Sequence, residues 1–197
     1  MVWAHADSGS YSPKYGYKFL MLKKGWGNPD WWAKHLWKLK SPAKSRLFFW
    51  CIVKQKVPTW DILQARYKSG PGRCPLCKNE SKTIRHLFID CPFVKKVWME
   101  VGRLLQKIVS WEGDYFPEVW QKWWQLYLEG NMQNLPLIIA WGIWIARNRC
   151  IFKDKYTPFE AIAIQCTSVY TSIPEPVKEN FSMTSRVEHI KEGIQWD

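Results

Sequence analysis

Four potential metal ligands lie close together near the middle of this chain, and their spacing constrains the fold more than any other feature does. Cys74, Cys77, His86 and Cys91 form the pattern Cys-x2-Cys-x8-His-x4-Cys. Two cysteines separated by two residues can direct both thiolates at one ion, while a histidine and a cysteine that bracket a short helix can supply the other two ligands. The segment 73–91 is too short for an ordinary packed unit, so its fold must depend on such an ion or on its neighbours.

Three thiolates and one imidazole make a closed set of four ligands with no position left for water. This donor set predicts one structural Zn²⁺ ion and not a catalytic one. We expect Thr83 to cap the short helix that carries His86, and Leu87 and Phe88 to pack on the core. The alternatives are incidental thiols beside a core histidine, or a redox Cys-x-x-Cys pair. The redox alternative lacks a βαβ context and does not account for His86 and Cys91.

Apolar residues recur at helical spacing along most of the chain, and no stretch shows the sustained alternation of a β-strand. The sequence therefore predicts an all-α fold, a helical bundle with an embedded zinc-knuckle-like loop. We expect a zinc-binding domain over residues 1–110, a helical extension packed on it over 111–172, and a polar tail over 173–197. Thr157, with Pro158 and Glu160 after it, predicts a capping box at the start of the last helix. Helices are expected over about 13–24, 31–39, 42–56, 59–67, 92–108, 116–128, 135–152 and 158–171.

The remaining cysteines and most of the tryptophans fall on apolar helical faces. Cys51, Cys150 and Cys166 have no ligand spacing and are predicted to be small core residues. The chain has 15 tryptophans, and those at helical spacing are more typical of a core than of a binding surface. Trp32, Trp37, Trp50, Trp60 and Trp98 belong to this group. Trp26 and Trp31 stand beside Gly and Pro and are the better candidates for exposed stacking platforms.

The charge of the chain is positive and unevenly distributed. The net charge is +12, and residues 1–99 hold 19 basic and 5 acidic side chains, against 10 and 12 in residues 100–197. Between positions 34 and 73 only Asp61 is acidic, so a basic surface suited to phosphates is expected there. The alternative is an ordinary solvated helix face. The predicted phosphate-contacting residues are Lys34, Lys38, Lys40, Lys44, Arg46, Lys54, Lys56, Arg66, Lys68 and Arg73.

Several functional classes lack support in the sequence. It contains no glycine-rich phosphate loop, nucleophile elbow or clustered carboxylates, so neither an enzyme nor a small-molecule substrate is expected. The longest apolar run, 135–145, is 11 residues with Pro136 inside it, against about 20 for a membrane span. The first residues show no secretory signal, so we expect an intracellular, reducing compartment without membrane attachment.

The order of the motifs resembles the zinc-binding domain that follows the reverse transcriptase in plant LINE-type (non-LTR) retrotransposon polyproteins. The segment Cys74-Pro75-Leu76-Cys77 with His86-Leu87-Phe88, Cys91 and Val97-Trp98 is similar to the family's "C-x-L-C … E-T-x-x-H-L-F-x-x-C … V-W" core, with Lys82 in place of the usual Glu. Further resemblance is carried by 9–17 ("G-x-[FY]-S-V-K-S-x-Y"), 36–44 ("IW-K-x-K-x-P-x-K"), 57–63 ("L-x-T-x-D-x-L") and 143–152 ("I-W-x-x-R-N-x-x-I-F").

The resemblance covers about residues 7–155 and implies a module whose ancestral task was to bind element RNA or target DNA beside the polymerase. It also implies a nuclear location. Neither the Tyr-x-Asp-Asp motif of a reverse transcriptase nor a ribonuclease H region fits into 197 residues. The main hypothesis is therefore a non-catalytic, zinc-stabilised module that binds RNA or DNA with little sequence specificity. The second hypothesis is an exapted module that docks on a host protein through a surface around Trp120, Trp123 and Trp124.

Overall fold

Helices account for all the regular secondary structure in the described part of the chain. The computed structural model describes residues 31–64, 73–79, 83–127 and 130–174. Numbered within these ranges, the α-helices are α1 (Trp31–Leu36), α2 (Ala43–Val53), α3 (Trp60–Gln64), α4 (Pro92–Leu105), α5 (Phe116–Leu126), α6 (Leu135–Lys153) and α7 (Phe159–Thr171). A π-helical turn spans His86–Asp90, and a 3₁₀ turn spans Gly130–Asn134. The all-α prediction is confirmed, while the helix expected over 13–24 and the tail beyond residue 174 lie outside the described residues.

The helix starts follow local sequence signals. Pro92 and Pro136 lie in the first turns of α4 and α6, where the missing N–H of a proline costs no hydrogen bond. In α4, Phe93, Val97 and Val101 are buried, as their helical spacing predicts. The chain leaves α4 through Gln106, which has a left-handed backbone conformation with φ 53°.

Helix α6 lies at the centre of the packing. It packs against α2 on one side and α7 on another, and α7 also packs on α4. The segment Asn131–Lys153 is long and apolar enough to cross a membrane by length and composition, with a mean hydropathy of 1.3. Half of its most apolar stretch is buried against the other helices, which is the behaviour of a core helix.

A cluster of aromatic rings fills the core between α4 and α5. The rings of Trp98 and Trp111 stack with centroids 4.9 Å apart, and both rings pack on Trp123. Trp120 is completely buried and packs edge-on against Phe49 of α2 at 4.6 Å. Aromatic pairs in such arrangements add to the stabilisation that burial provides.

This core corrects two expectations about tryptophan. Trp120 and Trp123 are buried and cannot form the predicted docking surface, because the apolar face of α5 points toward α2 and α4. Trp124 is only half-buried, and Trp31 packs against it and against Trp120, with centroids 6.1 and 5.2 Å apart. Trp31 is therefore half-buried in an aromatic contact. The prediction that it is an exposed stacking platform is wrong.

Candidate metal centre and basic surface

The first pair of ligands lies on a tight turn. The backbone N–H of Lys78 donates to the carbonyl of Cys74 at 2.9 Å, which closes the loop that contains Cys77. Lys78 has a left-handed backbone with φ 68°, a conformation that reverses the chain directly after the second cysteine. Leu76, between the two ligands, is buried in the core and fixes the loop to the helices.

The second pair of ligands comes from the helical turn 84–90 and the residue directly after it. Its start is capped as expected: the hydroxyl oxygen of Thr83 accepts a hydrogen bond from the backbone N–H of His86 at 3.0 Å. At its end, the N–H of Cys91 donates to the carbonyl of His86 at 2.8 Å. This five-residue hydrogen bond is the π-helical turn, a feature common at functional sites. It links the two ligands within one turn of the chain.

The four ligand atoms converge. The three sulfurs and one imidazole nitrogen all lie within 4.8 Å of one another, and Cys77 Sγ is 3.4 Å from His86 Nε2. A tetrahedral zinc site with bonds of about 2.3 Å to sulfur and 2.0 Å to nitrogen has edges of about 3.5–3.8 Å between its ligand atoms. The donor set and the spacing therefore fit one zinc ion, held by Cys74, Cys77, His86 and Cys91.

The electrostatics of the ligands favour a cation at this position. A hydrogen bond from Cys91 is the main cause that lowers the pKa of Cys74; burial opposes it, and the backbone amides of Cys77 and Leu76 add to the lowering. The pKa of Cys91 is raised, first by its hydrogen bond to Cys74 and then by burial. Without a cation the two thiols thus retain a shared proton, and a metal ion would displace it.

The metal ligands are continuous with the hydrophobic core. His86 and Cys91 are buried, and so are Leu87, Phe88 and Ile89 between them. The ring of Phe88 packs edge-on against Phe48 at 5.9 Å, and the indole N–H of Trp111 donates to the carbonyl of Phe88 at 2.9 Å. The prediction that Leu87 and Phe88 pack on the core is confirmed. Zinc at this site joins the 74–77 loop to the helical bundle.

The other cysteines lie apart from this cluster. Among the described residues, the one group of metal-ligand side chains that includes cysteine is the set of four above. Cys166 is buried between α6 and α7, and burial raises its pKa to about 12, so its thiol stays neutral. Cys51 and Cys150 are only half-buried.

The described members of the predicted basic surface fall into two groups. Exposed side chains belong to Lys38, Lys40, Lys44, Lys56 and Arg73. Half-buried side chains belong to Lys54, whose ammonium lies 4.8 Å from the centre of the Trp32 ring, and to Arg46. Lys34 lies in α1 but its side chain is outside the described atoms, and Trp26, Arg66 and Lys68 lie outside the described residues.

Arg46 ties the segment after α1 to the start of α2. Its Nη1 donates to the carbonyls of Trp37 at 3.0 Å and Leu39 at 3.1 Å. The N–H of Ser41 donates to the Oδ1 of Asn134 at 2.8 Å. These bonds fix residues 37–42 against α2 and the 3₁₀ turn before α6. Residues 37–46, which add the first turn of α2, are here called the basic loop.

The sequence did not predict the positions of two residues near these sites. Trp37 was expected in the core, yet α1 ends at Leu36 and the indole of Trp37 is 49% exposed. Its position between His35 and Lys38 was the available signal. The second is Arg147, a buried arginine on α6, whose sequence signals were its place in the motif over 143–152 and a cation within an apolar helix.

Comparisons with known proteins agree with this geometry. The model of the family described as zinc-binding in reverse transcriptase matches residues 11–98. A putative ribonuclease H protein of Arabidopsis thaliana is 26% identical over 102 residues, which cover 51% of this chain and 16% of that protein. The chain therefore corresponds to about a sixth of the length of that relative. No solved structure matches the chain significantly. With its four ligands in place, the segment 11–98 is similar to the zinc-binding domains of reverse transcriptases.

Proposed function

We propose that this chain is a non-catalytic module that binds the phosphate backbone of RNA or DNA with little sequence specificity. The observation that carries the proposal is the basic loop, in which Lys38, Lys40 and Lys44 are all exposed. The sequence has no acidic residue from position 31 to 60, so no carboxylate within that stretch offsets these ammonium groups. Cations clustered in this way bind polyanions by releasing the counterions of the phosphates.

The basic loop is held in place before any ligand arrives. Arg46 uses Nη1 to bind two carbonyls of the loop, and Asn134 accepts the N–H of Ser41. The three lysines therefore start from a fixed backbone, and binding requires less ordering of the chain. In this proposal Arg46 positions the loop, and the phosphate contacts fall to Lys38, Lys40 and Lys44.

Trp37 adds an aromatic surface to the same loop. Its ring is half-exposed and precedes Lys38 directly. Aromatic rings beside cations are a recurrent arrangement for binding single strands, because every base offers a face on which to stack. We therefore place Trp37, and not Trp31, among the residues that contact the nucleic acid.

The comparisons supply the setting of the proposal. The matching family is described by its occurrence in reverse transcriptase, and the curated relative carries the name of a putative ribonuclease H protein. We infer that the chain derives from a LINE-type retrotransposon polyprotein and retains its nucleic-acid-binding part. Its location would then be intracellular, with the nucleus favoured.

The test is a pair of charge-reversed variants with identical net charge. In the first, Lys38, Lys40 and Lys44 are changed to Glu. In the second, the exposed lysines Lys107, Lys122 and Lys153 are changed to Glu. Binding to a labelled single-stranded RNA, a single-stranded DNA and a DNA duplex is measured by fluorescence anisotropy over a range of salt concentrations.

The basic-loop variant should bind much more weakly, and the slope of log K against log salt should fall by about 2–3 units, since each lost phosphate contact contributes about 0.7–0.9. The control variant should keep a slope close to that of the wild type. Trp37→Ala should weaken single-strand binding by about 1–3 kcal/mol with little change in slope. Equal losses in both triple variants would contradict the assignment to the basic loop. Absence of binding in the wild type would contradict the proposal as a whole.

A further inference from the structure

Helix α6 buries a positive charge in the interior of the protein. Arg147 is 5% exposed, although it carries a guanidinium. The Cζ atom lies 4.5 Å from the centre of the Trp144 ring, and Nη1 donates to the Oδ1 of Asn148 at 2.9 Å. The Nε atom is buried without a hydrogen-bond partner. A buried cation is costly unless a negative charge faces it.

No carboxylate fills that role within the part of the chain that the structure describes. Helix α6 contains no acidic residue, and the ion pairs found among the described residues involve Arg85 and Arg103, not Arg147. Asn148 and the Trp144 ring offer dipoles and a quadrupole, but neither carries a net charge. The negative partner of Arg147 must therefore be sought on another element.

The face of α6 that carries Arg147 lies against the metal-binding loop. Cys150 is one helical turn after Arg147, and its Sγ donates to the carbonyl of Pro75 at 3.5 Å. Pro75 is the residue after the ligand Cys74. Burial lowers the pKa of Arg147, while the negative charge of Cys74 raises it. Arg147 and Cys150 lie one turn apart on α6, so the guanidinium is on the side of the helix that contacts this loop.

The zinc centre has an excess charge that Arg147 can balance. Three thiolates, a neutral imidazole and Zn²⁺ together carry a charge of −1, and the ligands Cys74, His86 and Cys91 are buried. This negative charge destabilises the folded protein if it is buried without a counter-charge, as does the unpaired Arg147. Each of the two groups removes the electrostatic penalty of the other.

We propose that Arg147 is a positioning residue of the metal centre, which balances the negative charge of the zinc–thiolate set and fastens α6 to the 74–77 loop. The proposal rests on occupancy of the four-ligand site by zinc and is independent of nucleic-acid binding. It explains why a helix more than forty residues downstream of the ligands, outside the matched segment 11–98, packs on the site.

The first experiment compares Arg147→Met with Arg149→Met, an exposed arginine on the same helix. Zinc affinity is measured by competition with a chelator, and the ligand set is checked by the absorption bands of the Co²⁺-substituted protein. Loss of an outer-shell partner typically weakens metal binding by about 10- to 100-fold, and this loss is expected for Arg147→Met alone. Arg147→Lys should retain most of the affinity, because it retains the charge. Wild-type affinity in Arg147→Met, or equal losses in the Met and Lys variants, would overturn the proposal.

A second experiment separates charge from packing. Cys77→His converts the ligands to two thiolates and two imidazoles, which still bind zinc but leave no excess charge. In the Cys77→His protein, Arg147→Met should lower the zinc affinity by less than about 3-fold. In the protein with its natural ligands, the same substitution should lower it by about 10-fold or more. If Arg147→Met does not fold with zinc in the natural background, Cys77→His should restore folding. A loss of the same size in both backgrounds, or no restored folding, would show that Arg147 acts through packing and would overturn the proposal.

Discussion

At the scale of single residues, one hydroxyl group organises the second half of the metal site. Thr83 accepts the N–H of His86 at the start of the turn that carries this ligand. Such a cap satisfies a backbone donor that the first turn of a helix leaves unpaired. The zinc ligand is thereby held by a hydrogen bond that the metal does not itself provide.

Thr83→Ala should therefore destabilise the zinc-loaded protein by about 1 kcal/mol, whereas Thr83→Ser should keep the cap and most of the stability. Urea unfolding in the presence of excess zinc measures the effect. Thr157→Ala is the matched control. If both threonines cost the same, the special role of Thr83 is refuted.

The control follows from a prediction that was wrong. Thr157 was expected to cap α7, with Pro158 as its first helical residue. In the structure Pro158 is itself the residue before the helix, with ψ 152° and no side-chain cap. An extended proline cannot belong to the first turn, so α7 begins at Phe159 and Thr157 lies one residue too early to serve.

At the scale of helices, the contact between α6 and α7 depends on a missing side chain. A Cβ atom at Gly142 would lie 2.8 Å from the Sγ of Cys166 and 3.4 Å from the Cγ2 of Ile162. Real carbon and sulfur atoms do not approach to 2.8 Å without displacement, so the two helices are as close as the glycine allows. The buried neutral thiol of Cys166 fills the space beside it.

Gly142→Ala should consequently destabilise the protein by about 1–2 kcal/mol, because overpacking outweighs the gain of roughly 1 kcal/mol in helix propensity. In a Cys166→Ala background the sulfur is absent, and the same substitution should become stabilising. Thermal unfolding of the wild type, the two single variants and the double variant measures these changes in stability. A destabilisation of equal size in both backgrounds would show that Cys166 is not the obstacle.

Helical periodicity was a good guide to where helices lie and a poor one to which residues face solvent. The stripe of Trp120 and Trp123 on α5 was identified correctly, yet its burial against α2 and α4 was not foreseen. The prediction for Trp37 was wrong in the opposite sense: it was expected in the core, but α1 ends one residue before it and its side chain is exposed. Periodicity identifies an apolar face, but the neighbouring helices decide whether that face is covered.

At the scale of the whole molecule, the metal site and the helical core are joined through a few contacts. Leu76, Leu87 and Phe88 carry the ligand segments into the core, and Trp111 binds the carbonyl of Phe88. The packing of α6 on α2 and α7 uses other residues. Zinc therefore stabilises one part of the fold directly and the rest through these contacts and through the contact of α6 with the 74–77 loop.

Removal of zinc by a chelator should loosen this part first. Amide hydrogen exchange followed by mass spectrometry should show faster exchange over 74–79 and 83–91, with protection retained in α6 and α7. The unfolding temperature should fall and recover when zinc is restored. Loss of protection along the whole described chain would show instead that zinc holds the entire fold together.

The sequence by itself determined the features that depend on local order along the chain. The four ligands, the cap at Thr83 and the all-α class follow from spacing, from side-chain chemistry and from a single period, all of which act over a few residues. The excess of positive charge in the first half is likewise a property of composition.

Only the tertiary structure decided which of these residues meet. Arg46 was expected to contact phosphates, yet its guanidinium donates hydrogen bonds to the carbonyls of Trp37 and Leu39. Cys150, one helical turn after Arg147, contacts a loop that precedes it by 75 positions, and nothing in the local sequence indicates that approach. Burial and charge pairing are set when distant faces pack together, so the sequence fixes the available groups while the packing chooses their partners.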